Sequence, residues 1–189
     1  MLVSKQDKDL NISQSTLNKL RASVLGANDG IISTAAVVMG VSGATSNRET
    51  IFMAGMAALV AGALSMAVGE YVSVSSQRDA EKLRARKKKV EEHKDDISSP
   101  SHAAIASFLA FTAGGLVPFL AVILAPASGH VTVTIVAVTV ALLLTGYFSA
   151  NASGTSHKRA MIRILVGGFL AMGLTYLVGM AFGQSAVVV

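Results

Sequence analysis

Two carboxylates and one thioether sit in this sequence where such groups are rare. Asp29 lies inside the apolar stretch Leu20–Ala44, and Glu70 lies inside the apolar stretch Ile51–Ser75. Met66 precedes Glu70 by four residues, so on a helix the two share a face one turn apart. A charged group within a long apolar run is costly, and by default it marks an ion or proton path. Carboxylates attract divalent cations, and a thioether shifts the preference from Mg or Ca toward a transition metal such as Fe(II). A carboxylate also takes up protons, which offers a way to exchange metal against protons. Asp29, Met66 and Glu70 therefore read as one membrane-embedded cation site. Each has a plainer alternative: Met66 as packing, and Asp29 and Glu70 as structural hydrogen-bond partners, for example Asp29 as the cap of a helix broken at Asn28-Asp29-Gly30. The small residues Gly26, Gly30, Ser33, Gly62, Ser65 and Gly69 suit close helix packing better than chemistry.

The elements that hold these residues are membrane spans. Of the 189 residues 52 % are hydrophobic and only 14 % charged, well below the quarter expected of a soluble domain. The charges are bunched, leaving five apolar runs at about 20–44, 51–75, 103–124, 131–152 and 162–182. Each suffices to cross ~30 Å at 1.5 Å per residue. The expected fold is an all-α, polytopic integral membrane protein with five transmembrane helices. It divides into an N-terminal arm (1–19), helices 1 and 2 (20–76), a charged segment (77–99), and helices 3 to 5 with a short tail (100–189). The arm lacks the apolar core of a secretory signal peptide. Gly114, Gly115 and Pro118 are expected to bend the third span.

Orientation follows from the basic residues. With a cytoplasmic N-terminus, 15 of the 16 Lys and Arg lie inside and only Arg48 lies outside. The C-terminus then falls on the opposite face. The net charge of +5 is thereby a topology signal, not a nucleic-acid footprint. Depth along the spans agrees with a shared site. Asp29 is ~14 Å and Met66 ~15 Å from the cytoplasmic ends of their helices, with Glu70 one turn nearer the cytoplasm. Residues 77–99 hold eight Lys or Arg and six Asp or Glu. Glu81, Glu91, Glu92, His93 and Asp95 within it offer a possible cytoplasmic metal-loading station. The interleaved basic residues favour instead a solvated helix continuing the second span. Cys is absent, which excludes thiolate metal sites and disulfides.

Two stretches carry a family resemblance. Arg21-Ala-Ser-Val-Leu-Gly-Ala-Asn-Asp-Gly-Ile-Ile-Ser33 and Ala61-Gly-Ala-Leu-Ser-Met-Ala-Val-Gly-Glu-Tyr-Val-Ser-Val-Ser-Ser-Gln-Arg-Asp79 resemble the vacuolar iron transporter (VIT) family. The resemblance implies five transmembrane helices, a homodimer, and export of Fe(II), often with Mn(II), from the cytoplasm in exchange for protons. It implies that Asp29 and Met66 line the path, with Glu70 in the same motif. Many members carry a long metal-binding domain between spans two and three. Here that region is about 25 residues and basic, like the short form that lacks this domain.

The expected partners are divalent metal ions, the lipid bilayer and a second copy of the chain, with no nucleic acid and no permanently bound cofactor. No organelle-targeting pattern is recognisable, which favours a bacterial plasma membrane over a vacuolar or other organelle membrane. An enzyme is not expected. Two rivals remain: a membrane scaffold docking lipid or partners through residues 82–94, and an intramembrane serine protease built on Gly40-Val41-Ser42-Gly43 with His130.

Overall fold

Each of the five apolar runs forms a helix in the computed structural model, which describes residues 14–88, 99–126 and 128–183. The helices are α1 (Gln14–Ala44), α2 (Arg48–Lys88), α3 (Pro100–Leu124), α4 (His130–Ser153) and α5 (His157–Gly183). All five are long and apolar enough to cross a membrane, and no strand occurs among the described residues. Helices suit this sequence because a bilayer core offers no water to satisfy backbone polar groups.

Local chemistry sets the ends. Asn47 caps α2, its side-chain oxygen accepting a hydrogen bond from Thr50 N–H at 3.0 Å. Arg48 reaches across and donates to the Ala125 carbonyl just past the end of α3, so the lone basic residue of that turn ties α2 to α3. Pro100 opens α3 at a position where a missing N–H costs nothing. Gly154 ends α4 in the left-handed conformation (φ 64°), which a side chain would disfavour. Helix α3 is assigned as a single helix through Gly114, Gly115 and Pro118, all three buried. The two glycines there serve close approach. A methyl on Gly114 would run into the Ala27 carbonyl of α1, and one on Gly115 would lie 2.7 Å from the Thr34 hydroxyl.

Helix α1 is the axis of the bundle and packs against all four others, whereas α2 touches only α1 and α3. Ile31, Ala35 and Met39 of α1 bury against Val138 and Leu142 of α4 and Met172 of α5. Leu59 and Ala63 of α2 bury against Phe111 of α3. Toward its C-terminal end α1 meets α5 almost backbone to backbone. A methyl on Gly40 would lie 3.3 Å from Thr175, and one on Gly43 would lie 3.2 Å from the Met180 nitrogen. Small residues let membrane helices approach this closely, and packing is what holds them.

Candidate functional site

Helix α1 runs unbroken through Asn28, Asp29 and Gly30. Asp29 therefore caps no helix break, and that alternative falls. Gly30 is needed because a Cβ there would collide with the Phe111 carbonyl of α3. Gly26, one turn earlier, faces the Ser107 carbonyl at 2.7 Å from the same hypothetical atom. These two glycines press one side of α1 against α3. Asp29 projects from another side, which carries the half-exposed Leu25. Asp29 itself is half-buried. Its backbone carbonyl accepts a hydrogen bond from Ser33 Oγ at 2.6 Å. Its carboxylate has no hydrogen-bond or ion-pair partner among the described residues, which leaves both oxygens available to a ligand.

Contacts along α1 and α2 fix the relative height of the candidate residues. Near one end Ala22 packs with Val74, and near the other Val38 packs with Ile51. The helices are antiparallel, and interpolation between these two contacts sets Asp29 roughly opposite residue 64 of α2, ~3 Å of helical rise from Met66. Met66 is thus at about the height of Asp29. It is half-buried and leans on the Leu59–Ala63–Phe111 cluster, so packing and ligation are both open to its thioether.

Glu70 has a partner that the sequence does not announce. Arg21, 49 residues away, donates from Nη2 to Glu70 Oε1 at 3.2 Å. The Glu70 side chain is 8 % exposed and that of Arg21 55 %. Arg21 thus stands as a tethered cation on one carboxylate of the expected cation site, and a divalent ion approaching Glu70 must share or displace it. Nothing in the spacing of residues 21 and 70 signals this pair; only the antiparallel docking of α1 and α2 creates it.

Glu81 lies on the extension of α2, where its Oε1 accepts from Gln77 Nε2 at 2.9 Å, one turn away. Glu91, Glu92, His93 and Asp95 lie outside the described residues. Among the described residues no three His, Asp or Glu side chains gather in a metal-ligating cluster. The protease alternative loses its geometry: Ser42 Oγ is buried with no hydrogen-bond partner, so no base is poised to activate it. Gly40 and Gly43, flanking Ser42, are the glycines that pack on α5.

Comparison with known proteins agrees with this architecture. A family profile described as "VIT family" matches residues 20–97 and 85–180. The chain is 45 % identical over 166 residues to vacuolar iron transporter homolog 2 of Arabidopsis thaliana, covering 85 % of each chain. It is 43 % identical over 175 residues to vacuolar iron transporter homolog 1 of Oryza sativa subsp. japonica, covering 89 % of this chain and 75 % of that one. It is 42 % identical over 159 residues to vacuolar iron transporter homolog 4 of Arabidopsis thaliana, covering 83 % and 80 %. With most of its length matched and its five apolar helices in place, the chain belongs to the VIT family.

Proposed function

We propose that this protein carries divalent transition metal, Fe(II) with Mn(II) as a second cargo, out of the cytoplasm in exchange for protons, and that it works as a homodimer. The carrying observation is an unpartnered carboxylate, Asp29, midway along the central span at about the height of Met66. The names of the relatives, vacuolar iron transporter homologs, support the cargo class. The basic residues support a cytoplasmic N-terminus.

The mechanism follows from ligand chemistry. Metal ligation needs the carboxylate deprotonated, so a proton and a metal ion are alternatives at Asp29. Loading from one side and protonation from the other would drive exchange. The Met66 thioether adds preference for a softer ion without adding charge. Glu70, one turn away, would guide the ion once Arg21 yields. One protomer supplies few ligands, and a bare carboxylate on an open helix side is costly in lipid. A two-fold partner meeting α1 and α2 would cover it and double the ligand set.

The test is metal flux into proteoliposomes at several pH values, with equal protein content. Asp29→Asn keeps shape but cannot exchange a proton for metal. It is expected to abolish pH-dependent flux of Fe(II) and Mn(II), while Asp29→Glu keeps part of it. Undiminished, pH-dependent flux in Asp29→Asn would remove Asp29 from the mechanism.

A further inference from the structure

A cavity of about 680 Å³ lies between α1, α4 and α5, away from α2 and Met66. Its polar lining comes from Arg21 and Asn28 of α1, Ser149 and Ser153 of α4, and Arg163 of α5. The rest is aliphatic, including Val24, Ile32 and Ile164, with Gly167 leaving space. The order of these groups along the helices is informative. Ile32 lies level with Gly168, so the parallel helices α1 and α5 set Arg163 near the height of Asn28. Arg21, Ser149 and Ser153 lie nearer the end of the bundle where α4 finishes and α5 begins. The cavity is thus cationic and hydroxylated at its mouth and aliphatic at its inner end.

Arg163 makes the case specific. It sits six residues into α5, exposed near the end of the bundle where that helix begins, and no carboxylate pairs with it among the described residues. Helical side chains lean toward the N-terminus, so its guanidinium reaches back toward the mouth and toward Arg21. Arg21 spends one Nη on Glu70 and keeps its other donors. Two guanidinium groups with neighbouring hydroxyls suit a phosphate, which takes paired N–H donors from each fork. A soluble anion would leave the aliphatic half empty, whereas a lipid fills both halves. Basic pockets between spans near the membrane surface suit anionic lipid headgroups.

We propose that the α1–α4–α5 cavity is a binding site for an anionic glycerophospholipid, its phosphate held between Arg163 and Arg21 and its upper acyl chain lying against Ile32 and Ile164. The site borders the proposed metal path: Leu25, one turn from Asp29, lines it, and Arg21 is shared with Glu70.

The experiment uses the full chain in neutral detergent, with binding read by native mass spectrometry and by thermal unfolding. The probes are dioleoyl-phosphatidylglycerol, dioleoyl-phosphatidylcholine and inorganic phosphate. The wild-type chain is expected to bind phosphatidylglycerol at least tenfold more tightly than phosphatidylcholine. Arg163→Gln should remove most of that preference. Gly167→Leu should do so as well, because a side chain there meets nothing within 4 Å and projects into the cavity, leaving charge unchanged. It also carries the test if Arg163→Gln fails to fold. Arg159→Gln removes an exposed charge one turn earlier, outside the cavity, and should keep the preference. Equal binding of the two lipids, or a preference surviving Gly167→Leu, would overturn the proposal. So would an equal loss in Arg159→Gln, which would mean diffuse charge, or equal protection by inorganic phosphate, which would mean a soluble anion.

Discussion

Gly26 gives the sharpest test of how α1 is held. A Cβ at Gly26 would lie 2.7 Å from the Ser107 carbonyl oxygen and 3.3 Å from both Ala110 Cβ and the Phe111 nitrogen. Ordinary contact begins near 3.4 Å, so Gly26→Ala must push α1 and α3 apart by about 0.7 Å. The obstacle is backbone, which no rotamer change can relieve. Overpacking of this kind costs roughly 1–3 kcal/mol, and a backbone clash belongs at the upper end. Alanine returns about 1 kcal/mol through helix propensity. The net expectation is a loss of about 2 kcal/mol, or about 4–8 °C in Tm for a chain of this length. Gly69→Ala is the matched control, because a Cβ at Gly69 meets nothing within 4 Å. It should leave Tm unchanged or raise it by a few degrees, about 2–4 °C. The assay is apparent Tm of both variants in one detergent at one scan rate, with metal flux measured alongside. Asp29 lies one turn beyond Gly26, so flux should fall in Gly26→Ala even below its Tm. Equal Tm values for the two variants would refute the close α1–α3 contact.

Three further outcomes are expected. Arg21→Gln and Glu70→Gln should each lower stability, by about 1–2 kcal/mol after discounting for the half-exposed arginine, and the double variant should be no worse than either single one. Additive losses in that thermal-unfolding cycle would mean that the pair does not interact. Met66→Leu nearly conserves volume, so it should fold with less than about 1.5 kcal/mol of loss. The same variant should lower the ratio of Fe(II) to Ca(II) flux in proteoliposomes; an unchanged ratio would assign Met66 to packing alone. Gly154→Ala forces a side chain into the left-handed region with no clash, so it should cost about 1–2 kcal/mol in unfolding and leave flux per folded molecule unchanged.

The five spans were legible because length and apolarity alone decide them. The antiparallel register of α1 and α2 was legible for a related reason: with a short turn between them, helical rise fixes which residues face each other. The height shared by Asp29 and Met66 follows from that count. What depends on side-chain direction was not legible. Arg21 finds Glu70 only because α1 and α2 dock with those faces inward. Gly114 and Gly115 meet Ala27 and Thr34 of α1, partners that residue type alone does not name. Gly69 looked like the other packing glycines, but a Cβ there would meet nothing within 4 Å. The cavity at Arg163 escaped notice because its three walls come from helices far apart in sequence.

The glycine contact between α1 and α5 makes these helices resemble the legs of a pair of compasses. Their backbones meet at Gly40 and Gly43, while a cavity separates them around Arg21 and Arg163. A change in crossing angle about such a joint leaves its own contacts nearly unaltered and grows with distance from it. Asp29 lies about 21 Å from Gly43 along α1 and Arg21 about 33 Å. A swing of about 5° would therefore move Asp29 by about 2 Å and Arg21 by about 3 Å, reckoned from those helical lengths. A displacement of that size equals a metal–ligand bond, and the packing of Ile31, Ala35 and Met39 on Met172, between the joint and Asp29, is what opposes it.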